Sequence, residues 1–344
     1  MKLLIVKTSS MGDVIHTLPA VTDAARALPG IVIDWVVEEG FAEIPRWHPA
    51  VRRVIPVALR RWRKTPLASL RSDEWKQFRG QLAAEHYDCI IDAQGLVKSA
   101  LVARLAHGPV SGFDWSSARE PLASLFYQKK FSVSKQQHAV ERIRSLFGQA
   151  LCYHYAGEPA DCALQSAFHH ALGNGDFGLQ REQFGGRDQQ QPYVLFLHGT
   201  TRGPKHWPDT HWLELCRLVS TTAYQIKVPW YTPEEKQRAE KMSAVSDKVQ
   251  ILPKTNLQGM ATALARASAF VAVDTGLGHL GAALDVPGIS LYGPTSPTYV
   301  GTYGRRQIHM GAKAPGDTQV PGQDSLSLVS ADGVWRELQK LLQK

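Results

Sequence analysis

Residues 1–20 read MKLLIVKTSSMGDVIHTLPA, and the rest of the chain repeats their logic. Leu3 to Val6 is an unbroken apolar run, Lys7 to Gly12 are small or polar, and from Asp13 apolar residues return at a spacing near four and three. The pattern predicts strand, tight turn, helix. The turn carries two hydroxyls, a glycine and a carboxylate at the start of the next helix. In open α/β sheets ligands bind outside the carboxyl ends of strands, so Asp13 is the candidate reacting group.

Working outward, Ile31 to Val37 and Val51 to Val57 read as strands, as does Tyr87 to Asp92, whose turn Ala93-Gln94-Gly95 leads into a helix from Leu96 to about Ala106. Gln94 and Lys98 then share the strand-end crevice with Asp13. Between these elements Arg60, Arg61, Trp62, Arg63 and Lys64 follow one another, either a solvated loop or a grip for anionic groups. Arg119 to Phe131 mixes Leu122, Leu125, Phe126 and Tyr127 with Lys129 and Lys130, as a membrane-resting segment or a helix packed on its own domain would. His138 opens a helical stretch through Phe147.

A second series follows a Gly-, Asp- and Gln-rich stretch. Tyr193 to Leu197, Tyr224 to Val228, Val249 to Leu252, Ala269 to Val273 and Ile289 to Tyr292 read as strands with helices between them. Alternating β and α elements in both halves predict an α/β protein of two doubly wound parallel sheets facing each other. The expected division is 1–172, a linker at 173–191, 192–325, and a final helix at 326–344. That helix carries Val334, Leu338, Leu341 and Leu342 on one stripe, with Ser330 as its cap. Residues 296–325 show little pattern.

The 344 residues exceed the size at which one core usually keeps growing, which supports two domains with a site between them. A hydrophobic share of 44% and a charged share of 20% exclude disordered and collagen-like chains. No stretch approaches the roughly 20 apolar residues of a membrane span, and cytoplasmic residence is expected. Cys89, Cys152, Cys162 and Cys216 are scattered and read as reduced packing residues. The charge of +8 favours an anionic partner. Nucleic acid, phosphorylated lipid and nucleotide sugar all qualify on charge alone.

Asp274-Thr275-Gly276-Leu277-Gly278-His279 is the strongest phosphate signal, because glycines and a helix N-terminus let backbone amides approach an anion. There is no GxxxxGK[ST], no GxGxxG after the first strand, no Asp-x-Asp and no metal-spaced cluster, which disfavours NAD, ATP and a bound metal. A departing diphosphate would then be neutralised by Lys205, after the Thr200-Thr201 turn, and by the helix that begins at Thr275. Glu234 and Glu235 either cap a helix or accept ribose hydroxyls. His138 and His279 are ambiguous by themselves.

Taken together, KTSSMGDVIHTLPA, DWVVEEGFAEIP, IPVALRRWRK, DAQGLVKSA, REPLASLFY, KQQHAVER, HGTTRGPKHWP and VDTGLGHL closely resemble the lipopolysaccharide heptosyltransferase I family, from Met1 to about Gly304. The resemblance implies the GT-B fold, two Rossmann-like domains with a last helix crossing back to the N-terminal domain. It implies inverting transfer of L-glycero-D-manno-heptose from ADP-heptose to a Kdo hydroxyl of Kdo2-lipid A, at the cytoplasmic face of the inner membrane, with no cofactor, metal or nucleic acid. Carried over by residue, Asp13 is the general base and Lys205 assists catalysis. Thr200, Thr201 and Lys205 hold the diphosphate, Glu235 the ribose, and Asp274, Thr275, Gly276 and His279 the heptose and phosphate region. Ser10, Gly12, Gln94 and Lys98 line the acceptor side, and Arg60, Arg61, Arg63, Lys64, Arg119 and His138 grip its anionic groups. Heptosyltransferase II is the nearest rival reading, favoured less by RRWRK. From another class, a non-catalytic nucleotide or anionic-lipid binder would not need Asp13 at a strand-end turn.

Overall fold

The computed structural model describes residues 1–154, 175–200, 203–311 and 325–343. It divides into two compact units, Met1–Gly178 and Leu179–Lys344. The boundary falls inside the stretch 173–191.

In the first unit β1 (Lys2–Val6), β2 (Val32–Glu38), β3 (Val51–Val57), β4 (Cys89–Asp92), β5 (Val110–Phe113) and β6 (Lys129–Phe131) form one sheet in the order β3-β2-β1-β4-β5-β6. Every pairing is parallel. Helices therefore cover both faces of the central strands, which explains why Leu3, Leu4, Ile5 and Val6 are fully buried and the run shows no alternation. Ile5 lies beside Trp35 on one side and Ile91 on the other.

Two sequence expectations change here. The RRWRK stretch is not a loop with an anion-gripping aromatic. Leu59–Trp62 is a short helix, and Trp62 turns inward, edge-on to Trp75 at 5.4 Å and Phe78 at 5.6 Å on the helix Asp73–Ala83. Residues 119–131 are not one helix: Pro121–Phe126 is a 3-10 turn, and Lys129–Phe131 adds a parallel edge strand to β5. Tyr127 is buried by that pairing, while Leu122 and Leu125 stay exposed.

The second unit repeats the design with β7 (Tyr193–Leu197), β8 (Gln225–Val228), β9 (Val249–Ile251), β10 (Ala269–Val273), β11 (Gly288–Tyr292) and β12 (Gln307–Gly311), in the order β12-β11-β10-β7-β8-β9. Its strand β12 lies in the stretch that showed little pattern, because an edge strand half open to solvent has no unbroken apolar run. The last helix is Ala331–Leu342. Val334 and Leu338 are fully buried in the core of this same unit with Trp207 and Trp212. Each such side chain contributes about 1.5–3 kcal/mol on burial. Trp207 Nε1 also donates to the Val329 carbonyl at 2.8 Å, which ties down the approach to the helix. Ser330 caps it, accepting from the Gly333 amide.

Candidate functional site

Both sheets carry the same doubly wound order, with the strand sequence reversing between β1 and β4 and again between β7 and β10. A crevice at the carboxyl ends of those pairs is where such sheets bind ligands. The candidate residues fall into two half-sites, one per unit, at these switch points.

In the first half-site Asp13 lies in the helix Met11–Ile15 that follows the β1 turn. Its Oδ2 accepts from the Ser10 amide and the Ser10 hydroxyl, both at 2.9 Å. Lys7 Nζ stands 3.8 Å from Oδ1 and Arg119 4.0 Å from Oδ2. Burial works to raise the Asp13 pKa, but Lys7, the two Ser10 bonds and Arg119 outweigh it and hold the carboxyl below its ordinary value. Gln94 is a clamp on this turn: its Oε1 accepts from the Thr8 amide at 2.9 Å and the Ser9 amide at 3.2 Å, while its Nε2 donates to the Ser9 carbonyl. At the end of β4, Asp92 is wholly buried and accepts from Tyr127 Oη, Ser99 Oγ and the amides of Gln94 and Gly95. Burial pushes its pKa up despite those bonds.

The other acceptor-side candidates are differently employed. Ser10 is exposed and Gly12 buried beside Asp13, and Lys98 is exposed in the first turn of the helix Val97–Ala103. Glu120 caps that helix through the Val97 amide at 2.7 Å, which anchors Arg119 above the turn. Arg61 is committed to two carboxylates, Glu39 at 3.0 Å and Glu74 at 2.5 Å. Arg60 lies over the Phe41 ring. Arg63 and Lys64 are exposed. His138 is buried, caps the helix Ala139–Leu151 by accepting from the Val140 amide, and packs edge-on to His16.

In the second half-site the ends of β7 and β10 meet through Thr200, whose hydroxyl donates to the Asp274 carbonyl at 3.2 Å, and through an ion pair between Lys205 and the Asp274 carboxylate. Thr201 lies outside the described residues. Thr275 is the N-cap of the helix Gly276–Ala283, and Gly281 lets that helix lie on β10, since a Cβ there would come within 2.5 Å of the Phe270 ring. His279 is buried in the same helix. Glu235 rather than Glu234 turns toward β7. Its carboxylate accepts from the Tyr231 amide at 2.7 Å and rests on Gly199, where a Cβ would stand 2.3 Å from Oε1. Glu234 is exposed.

Several participants went unread in the sequence. Lys7, Asp92 and Arg142 in the first unit and His198 in the second lie inside the quoted motifs but were given no role, and Asp209 and Arg238 fall outside them. His198 Nε2 bonds the Pro229 carbonyl, Arg238 bridges toward it from Asp209, and burial brings the His198 pKa down to about 4. The available signal was a polar residue at or directly after the end of a buried strand, as at Lys7, Asp92 and His198. Among the described residues, no group of three or more His, Cys, Asp or Glu side chains is arranged to hold a metal ion.

The family described as glycosyltransferase family 9 (heptosyltransferase) matches residues 75–328. The lipopolysaccharide heptosyltransferase 1 of Pseudomonas aeruginosa is 54% identical over 316 residues, 92% of this chain and 85% of that protein. The chain belongs to glycosyltransferase family 9. Among solved structures, the E. coli heptosyltransferase WaaC with ADP is 49% identical with a TM-score of 0.87, covering 99% of this chain and 100% of that one. The same enzyme with ADP-2-deoxy-2-fluoro heptose gives 48%, 0.83, and 99% of each chain. As a family 9 member the chain is a glycosyltransferase of lipopolysaccharide biosynthesis with the two-domain GT-B fold. Among the described residues, no helix is long and apolar enough to cross a membrane.

Proposed function

We propose that this heptosyltransferase moves L-glycero-D-manno-heptose from ADP-heptose to a Kdo hydroxyl of Kdo2-lipid A, with inversion and without a metal. The observation that carries the reading is Asp13, a carboxylate kept ionised at the β1 switch point beside Lys7 and Arg119. In the step proposed, the acceptor hydroxyl gives its proton to Asp13 as its oxygen bonds the anomeric carbon. The bond from that carbon to the diphosphate oxygen breaks, and ADP leaves with the electron pair. Inversion needs only one carboxylate, because no covalent glycosyl intermediate forms. The growing charge on the diphosphate is met by Lys205, the hydroxyls of Thr200 and Thr201, and the amides opening the helix at Gly276. Lys205 would exchange Asp274 for the phosphate, and Glu235 would accept the ribose hydroxyls. His279 would line the heptose and phosphate region with Asp274 and Thr275.

A nucleotide-sugar donor is supported by the WaaC structures with ADP and a fluorinated ADP-heptose. On the acceptor side, Arg63, Lys64, Arg60 and Arg119 would meet anionic groups. Leu67 and Leu70, exposed at 76% and 54% and following Arg63 and Lys64 in the chain, together with Leu122 and Leu125, would rest on the cytoplasmic face of the inner membrane. The deciding experiment measures ADP release from ADP-heptose with and without Kdo2-lipid A, in buffer containing EDTA. Release only with the acceptor, and undiminished by EDTA, is expected. Equal release without the acceptor, or loss restored by magnesium, overturns the reading.

A further inference from the structure

We infer that Lys7 is a positioning residue that holds Asp13 as an oriented carboxylate through the catalytic cycle. The inference rests on Asp13 being the base. Lys7 ends the first apolar run, where a long cationic side chain would ordinarily reach water. Here it is 6% exposed. Its ammonium donates to the Ala93 carbonyl at 2.9 Å, which anchors it to the β4 turn 86 residues away, and it faces Asp13 Oδ1 at 3.8 Å. Ser10 holds the other oxygen, Oδ2, so the two oxygens have distinct surroundings. A buried cation is expensive unless an anion compensates it. Asp13 is paired with it, and the wholly buried Asp92 also acts on its charge.

The charged groups around Asp13 are few. Lys7 and Arg119 bring positive charge to Asp13 itself, while Arg142 and Asp92, whose pKa burial has raised, act on Lys7. Burial lowers the Lys7 pKa, while Asp13 and Asp92 act to raise it and Arg119 and Arg142 to lower it further. Arg119 is 67% exposed on its side chain, so solvent screens it, and it stands where an anionic acceptor would bind. Of the two cations within 4.0 Å of Asp13, Lys7 is the one shielded from solvent. As an acceptor's anionic groups engage Arg119, Lys7 remains to keep the base ionised. It also limits how strong a base Asp13 can be, so the proton transfer would come late, when the acceptor hydroxyl has become acidic by bonding to the sugar.

The test compares Lys7→Gln, which retains a donor for the Ala93 carbonyl, with Lys7→Arg, which retains the charge. In Lys7→Gln the acid limb of the kcat/KM profile should move up by about one pH unit or more, and in Lys7→Arg it should stay in place. A merely structural lysine would lower Tm in both variants and leave the limb where it is, and that result overturns the inference. If neither variant folds, 13C titration of the Asp13 carboxyl in the wild-type enzyme decides: a value at or above the ordinary aspartate pKa of about 3.9 overturns it. Asp13→Asn separates this inference from the reading beneath it. Loss of turnover in Asp13→Asn with an unmoved limb in Lys7→Gln sinks Lys7 alone, whereas near wild-type turnover in Asp13→Asn removes the base itself.

Discussion

Replacing Gly199 by alanine tests the donor half-site by displacing Glu235 without replacing it. The added methyl would stand 2.3 Å from Glu235 Oε1 and 2.7 Å from its Cδ. Those atoms are the far end of a flexible side chain, so the carboxylate swings aside and the fold survives. In leaving, it gives up the Tyr231 amide at 2.7 Å and its weaker bond to Thr232 at 3.4 Å, which costs about 1 kcal/mol of helix capping. If the placed carboxylate accepts ribose hydroxyls, the charged hydrogen bonds lost are worth roughly 1.5–3 kcal/mol, or about 10- to 150-fold in affinity. Steady-state kinetics with varied ADP-heptose at saturating acceptor should show that rise in donor KM, with acceptor KM nearly unchanged. Gly199→Ala should also match Glu235→Ala, and the double variant should add nothing, since both remove one interaction. A donor KM within about twofold of wild type, or a double variant as poor as the product of the two singles, refutes the placement.

Asp13→Asn keeps an oxygen for both Ser10 bonds, so it should still fold, with a lower Tm because buried Lys7 loses its compensating charge, and lose at least about 10²-fold in kcat; wild-type turnover would contradict the base assignment. Arg63→Ala with Lys64→Ala should raise acceptor KM and its salt sensitivity without changing donor KM, and equal loss for both substrates would count against it. Arg61→Ala should instead leave acceptor KM nearly unchanged and lower Tm only slightly, as loss of an exposed ion pair does, because Arg61 is occupied by Glu39 and Glu74. His48 and His198 are buried and neutral, with pKa values brought down by burial to about 4 each. His48 shows why: its Nδ1 accepts the Ala50 amide and its Nε2 meets the Thr22 hydroxyl, leaving no room for a second proton. The unfolded chain takes up protons near pH 6.5 and the folded chain does not. This contribution to stability is therefore complete above about pH 6.5 and lost as pH falls toward 4, roughly 3 kcal/mol per histidine. Tm measured from pH 7 to 4.5 should fall accordingly, and a flat profile would refute it.

Local pattern alone determined the alternation of strands and helices, the turns after β1, β4, β7 and β10, and the polar residues those turns carry. These are properties of neighbours along the chain, set by apolar periodicity and by glycines and caps at element ends. The family resemblance added roles for Asp13, Lys205 and Glu235. Tertiary structure decided which turns share a crevice. Lys7, Thr8 and Ser9 meet Ala93 and Gln94 because parallel strands β1 and β4 lie side by side although some 86 residues separate them, and nothing within either segment encodes that pairing. It also turned Trp62 inward, took Arg61 for Glu39 and Glu74, laid the Glu235 carboxylate on Gly199, and seated the last helix on its own unit. Each outcome depends on surfaces brought together from distant parts of the chain, where burial and charge pairing are settled by packing and not by sequence spacing.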